Sequence, residues 1–112
     1  MEFKTLNNLN QLEVIDQDSK TKIQVIFKHS TTCSVSFFAN KNLLKEMKDL
    51  DNQTFEIYYL DLITYRAISN AIASHYQVTH ESPQLLFIKD GTCIYDASHS
   101  EVSLISGLEE VA

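Results

Sequence analysis

The amino-acid sequence predicts an α/β fold, a central mixed β-sheet flanked by helices on both faces. Three observations carry this. Apolar runs of strand length alternate with stretches of helical spacing, from Ile23 to Tyr76. Asp90-Gly91, a turn signal of the primed type, separates two late strands. The only proline, Pro83, stands just before the first of those strands. A strand–helix–strand unit in one sheet requires a parallel pair with a right-handed crossover, and the hairpin adds antiparallel neighbours.

In chain order, Phe3 to Leu6 predicts a short edge strand. Leu9, Leu12 and Ile15, with Val14, recur at helical spacing, and Asn8 or Asn10 is placed to cap that first helix. Asp16 to Thr21 is a polar connector. Ile23 to Lys28, rich in β-branched and aromatic residues, reads as a mostly buried strand. From about Val35 to Leu50 there is no glycine or proline, and a helix is predicted with Phe37, Leu43, Leu44, Met47 and Leu50 on its apolar face. Asp49 to Thr54 is turn-like. A second strand runs from Phe55 to Leu62. Tyr65, Ile68, Ala71, Ile72 and Tyr76 mark a third helix. Leu85–Ile88 and Cys93–Tyr95 form the hairpin, and Val102, Ile105 and Leu108 a closing helix. The order corresponds to the thioredoxin architecture, and residues 1–112 are expected to form one domain.

Composition narrows the function. Apolar residues make up 44% of the chain, enough for a core. A net charge of −6 argues against nucleic acid, whose phosphates call for a clustered basic surface. The longest apolar runs fall short of a membrane span. The N-terminal residues lack the basic start and apolar centre of a secretion signal. Two cysteines make no disulfide framework, so a reducing cytoplasm is the expected location. His29, His75, His80 and His99 show no paired ligand spacing, so no metal is expected. Glu46, Asp49, Asp51, Glu109 and Glu110 read as solvated helix ends.

Cys33 is the residue that carries chemistry. It falls between a buried strand and a helix, after the polar run His29-Ser30-Thr31-Thr32. Unpaired N–H groups and the positive end of the helix dipole favour an anion there, and the thiolate is the nucleophilic form. Ser36 occupies the position one turn on, where a second cysteine would close an internal disulfide, so the exchange is of the one-thiol kind. His29 is read either as a group that helps hold the thiolate or as an exposed strand-terminal histidine. Cys93 is not the expected partner. Six residues of strand from Gln84 to Lys89 carry the chain roughly 20 Å away before the turn, and a disulfide needs Cα atoms within about 7 Å. In a thioredoxin-like topology Pro83 opens the strand beside the cysteine loop, with a cis bond that turns Ser82 toward the thiol and leaves its backbone to pair with a substrate.

His29-Ser30-Thr31-Thr32-Cys33-Ser34-Val35-Ser36, together with His80-Glu81-Ser82-Pro83-Gln84 and Asp90-Gly91, resembles the YtxJ family of bacillithiol-system thioredoxin-like proteins, the monothiol bacilliredoxins. The likeness extends over nearly the whole chain. Thr32, Cys33 and Ser36 match the family signature Thr-Cys-Pro-X-Ser, and Ser34 replaces its proline. The resemblance implies removal of bacillithiol from protein mixed disulfides, with Cys33 attacking. It implies no bound cofactor, bacillithiol as thiol co-substrate, bacillithiolated proteins as partners, and a second thiol or a thiol reductase to regenerate Cys33. The expected catalytic residues are Cys33, Ser36 and Thr32, and the expected substrate-binding residues Ser82, Pro83 and His29. A redox-inert thioredoxin-like module holding an extended peptide at Pro83 is the alternative. An iron–sulfur glutaredoxin is disfavoured, because the glycine and phenylalanine of Cys-Gly-Phe-Ser are missing, and so is a peroxiredoxin.

Overall fold

Strand β2 (Ile23–His29) lies at the centre of a five-stranded sheet, and the chain is built outward from it in a computed structural model that describes residues 2–50 and 54–112. On one side β2 pairs in parallel with β3 (Phe55–Asp61), which pairs in parallel with the two-residue β1 (Lys4–Thr5). On the other side it pairs antiparallel with β4 (Gln84–Lys89), which turns back into β5 (Thr92–Ser98). The strand order is β1-β3-β2-β4-β5. Asp90 (φ 52°) and Gly91 (φ 72°) both take the left-handed conformation that a primed hairpin turn requires. Ser19, just past the end of the first helix, holds the turn, its carbonyl accepting from Asp90 N (3.0 Å) and its hydroxyl from Gly91 N (2.8 Å).

The pleat divides β2 between two cores. Val25 and Phe27, with Phe55, Ile57, Leu85 and Phe87, face helices α2 (Ser34–Met47) and α4 (Leu104–Val111). Ile26, with Tyr58, Leu60, Leu86 and Ile88, faces α1 (Gln11–Asp18) and α3 (Arg66–Tyr76). A strand covered on both faces reads as an unbroken apolar run, which is why β2 lacks alternation.

Several expectations are corrected. In α2 the buried stripe is Ser36, Ala39, Leu43 and Met47, whereas Phe37 and Leu44 face solvent. The small side chains of Ser36 and Ala39 are the ones turned to the sheet, which rotates the larger ones outward by about one residue position. Helix α2 also stops at Met47, leaving Leu50 beyond it, partly buried against the core. In α1, Leu12 and Ile15 are buried but Val14 is exposed, as is Leu9 in the turn ahead of the helix. Asn10 precedes α1 without a side-chain cap. Of the two candidates it is Asn8 whose side chain serves the helix entry, its Oδ1 accepting from Asn10 N (2.9 Å), while Gln11 Oε1 accepts from Asn7 N and Asn8 N, at 2.8 and 2.9 Å. Helix α4 buries Leu104 and Gly107 and exposes Ile105. Residues 51–53 of the expected connector, with Asp51, lie outside the described residues.

Glu46 is not a solvated helix-end charge. Its carboxylate reaches from α2 to the start of α4, where it accepts from Ser103 Oγ (2.8 Å), Leu104 N (3.0 Å) and Ile105 N (3.1 Å). Those N–H groups have no partner within their own helix, and an anion beside them also meets the positive end of the dipole. Replacing Glu46 by alanine is therefore expected to cost about 1–2 kcal/mol, the range of a lost N-cap. Glu46→Gln, which keeps one acceptor oxygen, should cost less. Urea unfolding of the two variants checks the order.

Candidate active site

Strand β2 ends at His29, and residues 30–33 lead into α2 with Cys33 at its N-cap position. Cys33 is extended (φ −107°, ψ 127°), and its carbonyl accepts the first helical bond, from Phe37 N (3.0 Å). The residue is partly exposed. Its thiol is held below the ordinary value, first by the main-chain N–H of Ser36, then by that of Val35, with the Ser36 hydroxyl adding to both. Slight desolvation opposes them. These donors stabilise the thiolate.

Ser36 is fully buried. Its Oγ accepts from Ser30 N at 3.3 Å and lies 3.5 Å from Ser82 Oγ, joining the cysteine loop to the loop before β4. The Ser82–Pro83 peptide is cis. The Pro83 carbonyl accepts from His99 N (2.9 Å), and His99 Nε2 lies 3.0 Å from Glu81 Oε2. Gln84, also buried, folds back on the same loop. Its Nε2 donates to Thr79 O at 3.0 Å and its Oε1 accepts from Glu81 N at 3.4 Å. Thr32 stands exposed at the rim, with its N and Oγ1 3.4 and 3.2 Å from Ser30 Oγ.

His29 is not the exposed strand-terminal histidine that was one of its two readings. It is only 7% exposed, and its ring packs against Phe27 and Tyr59 at 5.6 and 5.2 Å between centroids. Burial pushes its imidazole below the ordinary value. Asp61, its neighbour on β3, and the main chain of Ser36 push the other way. It lies under the first turn of α2 rather than at the surface.

Cys93 is on β5, the outer strand, opposite Ile88, which in turn pairs with Gln24 at the far end of β2. Its side chain packs against the α1/α3 core, and burial raises its thiol. Both cysteines are free.

Sequence reasoning passed over two parts of this region. Val35, Phe37 and Phe38 leave an exposed apolar surface on the first turns of α2, beside Cys33. Val35 and Phe38 also line a cleft of about 280 Å³ with Asn42, His99 and Val102. The signal was present as three large apolar residues within five positions of Cys33, of which only Phe37 was given a place, on the apolar face of the helix. Lys28 was also passed over. It is the penultimate residue of β2 and has no solvent exposure.

A partly exposed thiol at a helix N-terminus, with the first turn of that helix joined to a cis-proline loop on a mixed sheet of this order, defines the thiol oxidoreductases of the thioredoxin fold. Among solved structures, a chain assigned as an oxidoreductase with a thioredoxin fold is 26% identical, with a TM-score of 0.79 over 97% of this chain and 93% of its own. Fasciola hepatica thioredoxin (20% identical, TM-score 0.70, 97% and 95% covered) shares the fold. So does reduced Schistosoma mansoni thioredoxin (16% identical, TM-score 0.73, 99% and 98% covered). The chain belongs to the family described as Monothiol bacilliredoxin BrxC, which matches residues 4–106.

Proposed function

We propose that this protein removes a low-molecular-weight thiol, bacillithiol, from protein mixed disulfides by one-thiol exchange at Cys33. The observation that supports it best is the pairing of a donor-stabilised Cys33 sulfur with Ser36, rather than a second cysteine, one turn on. The Cys33 thiolate attacks the bacillithiol sulfur of the mixed disulfide. A new S–S bond forms on Cys33, and the target thiolate leaves and takes a proton from water. A second thiol, free or from a reductase, then attacks the Cys33 mixed disulfide, so the cycle is redox-neutral for Cys33. In this reading the main chain of Ser82, beside Pro83, pairs with the target backbone. Thr32 borders the entry, and His29 supports the first turn of α2 from beneath. The whole chain acts as one domain, in a reducing cytoplasm.

Incubation with an oxidised low-molecular-weight thiol, followed by intact mass measurement, tests this. One adduct is expected, on Cys33, and none in Cys33→Ser. A redox-inert peptide-binding module would gain none. Because the donors hold the Cys33 thiol below its ordinary value, its thiolate fraction near neutral pH exceeds that of an ordinary cysteine. Alkylation is therefore expected to be fast already near pH 7. A rate that rises only above pH 8 would overturn the assignment.

A further inference from the structure

Lys28 is fully buried, and among the described residues no carboxylate is paired with it. Its Nζ lies 3.2 Å from the carbonyl oxygen of Ser69 on α3 and 3.2 Å from Nδ1 of His80. The Ser69 hydroxyl is 3.4 Å from the same Nδ1. His80 belongs to the segment that leads to Ser82 and Pro83, and Gln84, which follows them, pairs with Lys28 across the sheet. One ammonium therefore joins the central strand, α3 and the start of the loop that faces Cys33.

This contact has a protonation rule. An ammonium has donors and no acceptor, so Nδ1 must offer its lone pair, and His80 must be neutral with its proton on Nε2. A protonated His80 has no lone pair to offer and places a second positive charge against the first. Burial lowers Lys28 to about 8. Burial, then Lys28 and Arg66 from α3, lower His80, while Glu81 beside it raises it.

We propose that Lys28 and His80 form a clamp that positions the Ser82–Pro83 loop over Cys33, and that the clamp holds only one positive charge, so that protonating His80 releases the loop. Lys28 is a positioning residue here, since it touches neither sulfur nor substrate. The inference rests on the reading of Cys33 as the exchanging thiol. Its consequence is a loss of exchange with peptide-sized disulfides as pH falls through the His80 midpoint, with no matching change in the thiol itself.

Two measurements decide it. In the wild-type protein, nuclear magnetic resonance follows the His80 ring and the N–H groups of Glu81 and Ser82 between about pH 5 and 8, the range in which histidine titrates. The N–H groups are expected to move with the midpoint of the ring. A ring that titrates while they stay still overturns the clamp. The second measurement is the rate of exchange with a peptide mixed disulfide, divided by the rate of iodoacetamide alkylation, which reads the thiol alone. In wild type this ratio should fall with acidification. In Lys28→Met it should be about tenfold or more lower and flat with pH, as expected when a reacting partner is misplaced. His80→Gln, which keeps an acceptor for Lys28 and cannot titrate, should hold the high ratio at every pH. A Lys28→Met ratio equal to wild type throughout would overturn the proposal. If the wild-type protein does not exchange at all, the reading of Cys33 fails instead, and the resonance measurement still decides the clamp.

Discussion

A Ser36→Cys variant is expected to release its own mixed disulfide. The Ser36 hydroxyl already acts on the Cys33 sulfur, with Cys33 at the N-cap of α2 and Ser36 in its first turn, three positions on. A thiol placed there attacks Cys33 from within the chain. The bond to the low-molecular-weight thiol breaks, that thiol leaves, and an internal disulfide remains. Held in place, the new thiol acts at a high effective concentration, so release should be at least on the order of tenfold faster than from wild type in dilute external thiol. The substitution also removes the oxygen that Ser30 N uses, with an expected stability cost of about 1 kcal/mol. Time-resolved mass spectra after free thiol is removed will show the outcome. If the adduct on the variant lasts as long as on wild type, the first turn of α2 does not hold the two side chains as described.

Gly107→Ala should give the largest loss of stability from a single methyl group. A Cβ at Gly107 would stand 2.1, 2.4 and 2.9 Å from the Cζ, Cε1 and Cε2 atoms of Phe87. Phe87 is fully buried in β4, so its ring can yield only by displacing its neighbours. Alanine gains up to about 1 kcal/mol in helix propensity over glycine. Overpacking a core costs about 1–3 kcal/mol and at times more. With three ring atoms in the way, the clash is expected to win and to lift α4 from the sheet. A net loss of about 2 kcal/mol would lower the melting temperature by roughly 8 °C for a domain of this size. Phe87→Leu in the same chain should recover part of it. If Gly107→Ala melts at or above the wild-type temperature, α4 does not sit on Phe87.

The order of elements was legible in the sequence because each rested on a local rule. β-Branched density marked β2, Asp90-Gly91 marked the hairpin, and Cys33 marked the boundary between strand and helix. The site's main parts, Cys33, Ser36, Ser82 and Pro83, follow from that order and lie together in the structure. What could not be read was rotation and long-range partnership. The face of α2 turned on how near Ser36 and Ala39 allow the helix to come, a property of the assembled layers. Glu46 looked like a surface charge because its partners, from Ser103 to Ile105, are distant in sequence. Lys28 was counted within an apolar run, and the groups that make its burial tolerable lie on α3 and in the loop after it.

The position of Cys93 limits how many covalent links one molecule can make. Both cysteines are partly exposed, but Cys93 packs against the α1/α3 core at the far end of the sheet, where burial raises its thiol, whereas main-chain donors lower that of Cys33. In the folded state one sulfur is activated and the other is not, so on the proposed exchange the chain has a valency of one. Oxidation can end in an adduct with a small thiol, a link to one target protein, or a pair of chains joined through Cys33, and each product is a terminus. A chain with two outward sulfurs could be extended into ladders of linked proteins under the same stress. Here every molecule that reacts is a closed end, and must be reset by another thiol before it can act again.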